Sequence, residues 1–245
     1  MLMITDNILL NTLLAMLTAV GVALITTPIV KAIAPHIGAV DIPKDNRRMH
    51  TKPMPLCGGI AIFLGFSVAM LLFSEMTAES WGIWLGCLAI VILGIVDDIF
   101  TLNAKLKFVL QFVAALIPVC FGLTMEHINV FGYNLHLGWF AYPLTLLWIV
   151  ALTNAVNLID GLDGLACSVT TVGSVALFAV GVIVSSPAIM ITSASLFGAC
   201  AGFLPYNFNP AKIFMGDTGA MFLGYTVAAL SVYSFYQQPS DVSFM

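Results

Sequence analysis

Eight apolar runs, at roughly 8–30, 58–74, 81–96, 105–123, 139–156, 165–185, 188–205 and 219–236, occupy most of the chain. Crossing a bilayer takes about 20 helical residues, so each run is long enough, or nearly so, to cross. A water-soluble core has no place for eight such segments. In lipid every backbone amide must be satisfied within its own segment, which leaves the helix as the natural form for each run. Composition agrees: 60% of residues are hydrophobic and 8% charged, against roughly a quarter charged in soluble domains. The expected fold is an all-α polytopic membrane protein of about eight transmembrane helices, with residues 1–245 forming one domain.

The weakest boundary separates the sixth and seventh runs and rests on Ser185, Ser186 and Pro187. Residues 126–138 alternate Ile128, Val130, Tyr133, Leu135 and Leu137 around Gly132, a short hairpin pattern. His127 and His136 fall there, away from the other polar motifs, and are assigned no chemistry. Residues 1–7 carry no basic cluster and no cleavage site follows, so the first run reads as a retained span. The five cysteines are scattered, without metal or redox spacing.

Charge placement then orients the chain. With the N-terminus outside, the inner connections are 31–57, 97–104, 157–164 and 206–218. All eight basic residues lie in or beside them: Lys31, Lys44, Arg47, Arg48, Lys52, Lys105, Lys107 and Lys212. The outer segments hold Asp6, Glu75, Glu79, Glu126 and Asp241 instead. Basic residues favour the cytoplasmic side, so both ends of this chain are expected outside.

The same parity gathers the aspartates. Asp97 and Asp98 close the third span, Asp160 and Asp163 open the sixth, and Asp217 precedes the eighth. Burial at mid-membrane would cost about 2.5–3.5 kcal/mol per aspartate, and placement at helix ends avoids most of that. Five carboxylates at one rim still repel one another and call for a compensating cation. Residues 154–166, Asn-Ala-Val-Asn-Leu-Ile-Asp-Gly-Leu-Asp-Gly-Leu-Ala, place Asn154, Asn157, Asp160 and Asp163 at steps of three. Four such residues drift about half a turn around a helix, so they converge only if the helix tightens or ends. The plainer alternative is a helix start capped by aspartates.

Carboxylates matched with lysines suit magnesium and a diphosphate, because magnesium prefers oxygen and usually takes one or two protein carboxylates. Asp97 and Asp98 point about 100 degrees apart on a helix and should have different tasks. Asn103 is a candidate N-cap for the next span, whose first turn carries Lys105 and Lys107, where the helix dipole disfavours cations. Gln111 shares the Lys107 face. Residues 207–219, Asn-Phe-Asn-Pro-Ala-Lys-Ile-Phe-Met-Gly-Asp-Thr-Gly, join Lys212 and Asp217 in a loop entering a helix, whose exposed amides suit an anion. Plain capping is the alternative for Asp217 and Thr218. In the first inner loop Lys52 is the candidate for a ligand, while Arg47 and Arg48 are equally well read as anchors to anionic lipid.

These blocks resemble the polyprenyl-phosphate N-acetylhexosamine-1-phosphate transferases. The resemblance rests on Asp97-Asp98 with Lys105 to Gln111, residues 154–166, and Phe-Met-Gly-Asp-Thr-Gly at 214–219. Residues 48–59 are similar to that family's first cytoplasmic loop. The resemblance implies transfer of a sugar 1-phosphate from a UDP-sugar to undecaprenyl phosphate at the cytoplasmic face of the bacterial plasma membrane, releasing UMP. It implies magnesium as cofactor, with manganese as a substitute, and a homodimer as a candidate assembly; nucleic acid is not an expected partner. Carried over by position, Asp97 and Asp98 serve as proton acceptor and as metal or lysine partner. Asp217 is the main metal ligand, with Asp98 and Asn157 as further candidates. Asn154, Asn157, Asp160 and Asp163 shape the nucleotide-sugar side, and Lys52, Lys105, Lys107 and Lys212 meet substrate. The short connection from Asp97 to Lys105 and Tyr-Asn-Phe-Asn-Pro at 206–210 look more like the branch that transfers N-acetylglucosamine 1-phosphate for teichoic acid or polysaccharide than the phospho-muramoyl-pentapeptide branch. Family members usually have ten spans with a histidine-rich inner loop, so the resemblance also implies a fold shortened at its C-terminal end.

Two other classes compete. A cation-coupled transporter would place its acids near the midplane at broken helices, whereas these lie at one rim. A non-catalytic membrane scaffold is the third reading.

Overall fold

The computed structural model describes residues 7–42, 53–130 and 133–237. Lys52, Arg47 and Arg48 lie outside these residues. Among the described residues eight α-helices follow one another: α1 (Ile8–Ile33), α2 (Gly59–Phe73), α3 (Ala78–Phe100), α4 (Ala104–Cys120), α5 (Ala141–Ile159), α6 (Leu165–Ile183), α7 (Pro187–Asn207) and α8 (Gly216–Tyr236). Six are long and apolar enough to cross a membrane; α2, with 15 residues, and α4, with 17, are shorter. The chain is thus an all-α polytopic membrane protein, as its apolar runs predict.

Local chemistry sets the boundaries. Asn7 accepts from the amides of Leu9 and Leu10 at 3.0 and 3.2 Å and starts α1. Asn103 caps α4 through the Lys105 amide at 2.9 Å. The narrow break between α6 and α7 forms where expected: Ser185 takes a φ of 53°, and Pro187 opens α7, where its missing N–H is no loss. The hairpin pairs β3 (His127–Val130) with β4 (Tyr133–His136), antiparallel, with His127 opposite His136.

Two helices form the centre. About 72% of the α7 span and 83% of the α8 span is buried, against 28% for α1. Apolar burial contributes little to helix association in lipid, so close packing must. Gly198 and Gly202 of α7 press on the Met16 and Val20 carbonyls of α1, whose Ala19 and Ala23 complete a small-residue seam. Around α8, a Cβ at Gly59, Gly94 or Gly224 would strike the backbone of Gly219, Thr218 or Leu152 and Thr153.

Consecutive helices run in opposite directions, so one rim collects the C-terminal ends of α1, α3, α5 and α7 and the N-terminal ends of α2, α4, α6 and α8. A two-residue ladder, Val40–Asp41 against Met54–Pro55, closes that rim. The segment before α2 then joins the α7–α8 loop: Phe214 N–H donates to the Pro55 carbonyl, and the Gly58 and Gly59 amides donate to the Phe214 and Met215 carbonyls at 3.0 Å. The opposite rim carries the hairpin and a Tyr236 hydroxyl bond to Glu79 Oε1 at 3.3 Å.

Candidate active site

The polar centre is built where α3, α4 and α8 meet at the first rim. Asp97, in the last turn of α3, is 6% exposed. Its Oδ1 accepts from the Leu102 amide at 2.7 Å, which turns the chain out of α3 through Thr101 in the left-handed region. Its Oδ2 lies 2.7 Å from Lys107 Nζ, and the same ammonium lies 2.8 Å from Asp217 Oδ1. One half-buried lysine therefore bridges two carboxylates on different helices. The lysines expected to meet substrate divide accordingly: Lys107 sits in the centre, Lys105 is exposed on the first turn of α4, and Lys212 stacks 5.9 Å over the Tyr206 ring.

Asp98 points elsewhere, as neighbours on a helix must. Its Oδ1 accepts the Asp217 amide at 2.8 Å. Its Oδ2 accepts the Thr218 hydroxyl at 2.6 Å, the Thr218 amide at 3.2 Å and the Cys57 thiol at 3.3 Å. Burial, with the Asp98 charge adding to it, pushes Cys57 up to about 12, so it remains a thiol and a donor. The α8 amides expected to receive an external anion are thus engaged by a carboxylate of the chain itself.

The stretch at 154–166 does end a helix. α5 stops at Ile159, Asp160 takes its C-cap position, and Gly164 enters α6 with φ of 71°. The aspartates therefore do not form a helix N-cap. Asn154 donates to Gln111 Oε1 at 2.6 Å, and Gln111 Nε2 reaches Met221 Sδ at 3.2 Å, tying α5 to α4 and α8. Asn157 is half-buried one turn later. Asp163 accepts from Asn209 Nδ2 at 3.2 Å and the Ala211 amide at 3.0 Å, so it holds the α7–α8 loop. Burial raises the Asp160 carboxyl to about 7, with the charges of Asp217, Asp98 and Asp163 adding to it.

A carboxyl raised above its unfolded value of about 3.9 stabilises the fold below that pH and loses this contribution as pH rises through about 7. Asp160→Asn should therefore raise the melting temperature of metal-free protein at pH 8 and change it little at pH 4, as measured by thermal unfolding in detergent.

Among the described residues no group of three or more His, Cys, Asp or Glu is arranged as a metal cage. The donor set nevertheless fits a hard divalent ion. The Asp217 carboxylate is near enough to those of Asp97, Asp98 and Asp160 to act on each, its side chain is 34% exposed, and magnesium usually takes one or two carboxylates and fills its other positions with water and phosphate. Two contributors escaped the sequence reading: Thr218, readable only as a cap, and Cys57, read as a small apolar side chain.

Fold and site together define a polytopic membrane protein with an acidic and basic centre at one rim. Residues 80–235 match the model of glycosyl transferase family 4, and the chain belongs to that family. It is 46% identical over 240 residues to a Bacillus subtilis probable undecaprenyl-phosphate N-acetylglucosaminyl 1-phosphate transferase, covering 95% of this chain and 65% of that protein. It is 37% identical over 238 residues to the decaprenyl-phosphate N-acetylglucosaminephosphotransferase of Mycobacterium tuberculosis, covering 88% and 58%. A phospho-N-acetylmuramoyl-pentapeptide-transferase of Caldicellulosiruptor bescii is 31% identical over 240 residues, covering 91% and 74%. The chain thus spans less than two thirds of the length of the first two relatives, 65% and 58%.

Proposed function

We propose that this protein transfers N-acetylglucosamine 1-phosphate from UDP-N-acetylglucosamine to undecaprenyl phosphate, releasing UMP, at the cytoplasmic face of a bacterial plasma membrane. The product would begin a lipid-linked polymer such as teichoic acid or a surface polysaccharide. The observation that carries the reading is the Lys107 bridge between Asp97 and Asp217. It sets an ion-paired acid and base at a membrane rim, where a lipid phosphate and a soluble nucleotide can meet. The relatives' names supply the substrate class, and the 46% identity over 240 residues to the N-acetylglucosaminyl relative, against 31% over 240 and 38% over 201 residues to two pentapeptide transferases, favours the donor.

Phosphoryl transfer asks mainly for positioning and charge stabilisation. Asp217 would hold magnesium, which supplies positive charge to the diphosphate. Lys107 neutralises phosphate oxygens beside it. Asp97 orients Lys107 and, as the resemblance implies, would accept a proton from the lipid phosphate. Asn154 and Asn157 line the α5 wall, and Asp163 fixes the 209–211 loop that borders the nucleotide side.

Purified protein should release UMP from UDP-N-acetylglucosamine only when undecaprenyl phosphate and magnesium are both present. UMP release with UDP-N-acetylmuramoyl-pentapeptide alone would move the chain to the other branch, and release without lipid phosphate would sink the acceptor assignment. The sidedness has its own test, because Cys57 is fully buried and cannot report it. In a Cys120→Ser background an impermeant maleimide applied to intact cells should label Trp139→Cys, at an 89% exposed position, and spare Phe208→Cys, at a 61% exposed position. The reverse pattern would place the centre outside.

A further inference from the structure

The first turn of a helix leaves its amides without intrahelical acceptors, and α8 has no capping side chain of its own. Asp98, from α3, fills that place. Its two oxygens take the Asp217 amide, the Thr218 amide, the Thr218 hydroxyl and the Cys57 thiol. A carboxylate has roughly four acceptor sites, so these donors occupy most of its capacity. The surroundings are shaped for the contact: Gly216 has φ of 69° and a Cβ there would run into the Asp98 carboxylate, while Gly94, one turn before Asp98, lets α3 touch the Thr218 backbone. Thr218 is wholly buried and aims its hydroxyl at Asp98.

We propose that Asp98 and Thr218 are positioning residues: Asp98 caps α8 from α3, the Thr218 hydroxyl locks that carboxylate, and together they fix the backbone of Asp217. The proposal rests on the proposed function only in taking Asp217 as the side chain that meets metal and phosphate. The adjacent aspartates then divide their work. Asp97 acts on the centre through Lys107, and Asp98 acts through the backbone of α8.

The test combines amide hydrogen exchange over residues 216–219, read by mass spectrometry in detergent, with steady-state UMP release. Thr218→Val keeps the shape and removes the donor; a lost hydrogen bond to a charged group is worth about a factor of ten or more. Exchange at 217 and 218 should rise about tenfold and kcat fall about tenfold, with KM for UDP-N-acetylglucosamine within about twofold. Thr218→Ser, which keeps the hydroxyl, should recover most of both losses. Adding Thr218→Val to Asp98→Ala should cost nothing further, because the hydroxyl acts through the carboxylate. Unchanged exchange and kcat in Thr218→Val would overturn the proposal. So would an inactive Asp98→Ala with normal exchange at 217 and 218, which would make Asp98 a reacting group. Should Asp98→Ala not fold, the Thr218→Val and Thr218→Ser pair decides. If the parent protein released no UMP, the exchange measurements would still decide the cap, and only the proposed function would fall.

Discussion

Asp217→Asn should lower UMP release about a thousandfold while leaving the fold in place. The substitution keeps size and one acceptor oxygen, so Lys107 retains a partner and the Asp98 cap, which uses the Asp217 backbone amide, is untouched. What disappears is the anionic ligand of the proposed magnesium site. A metal ion contributes several kcal/mol of charge stabilisation to a phosphoryl-transfer transition state, and each 1.4 kcal/mol is about tenfold in rate. The magnesium concentration giving half-maximal activity should rise as well. Turnover by Asp217→Asn at the parental rate would remove Asp217 from the metal.

Lys107→Met should affect stability as much as chemistry. The methionine fills the space of the lysine stem, but it strands Asp97, 6% exposed, beside Asp217 with no cation between them. Breaking a buried pair from one side costs about 3–5 kcal/mol, whereas neutralising both partners can be nearly free. Lys107→Met should therefore melt well below the parent, and Lys107→Met with Asp97→Asn should recover most of that loss without recovering UMP release. Equal melting of the single and double variants would show that the ion pair carries no such energy. The two measurements separate the structural role of the lysine from its proposed role toward phosphate.

Both predictions depend on contacts that only partly follow from residue order. The polar blocks at 97–98, 105–111, 154–163 and 207–219 stand out because charge is scarce in this chain, and the alternation of spans sends all of them to one rim. Parity needs nothing beyond counting helices, so the gathering of Asp97, Asp98, Asp160, Asp163 and Asp217 was legible. The partners were not. Lys105 and Lys107 are two residues apart and chemically identical, yet the helical period turns Lys107 toward Asp97 and Asp217 and leaves Lys105 exposed. Lys212, also grouped with the substrate lysines, stacks on Tyr206.

Asp98 shows the same limit more sharply. From sequence the amides at the start of α8 were an anion site and Asp98 a carboxylate for metal or proton, and both readings are local. The packing of α3 on α8 through Gly94 joins the two and makes one the partner of the other. Cys57 enters the same cluster from a third segment, and no spacing could have announced that.

The sequence by itself determined the solvent, the number and approximate positions of the helices, and the rim on which the chemistry gathers, because hydrophobic length and charge placement act residue by residue. Which carboxylate meets which cation was decided only by the tertiary structure. Glycine contacts set the distance and rotation between α3, α4 and α8, and an ion pair or a cap exists only once those are set.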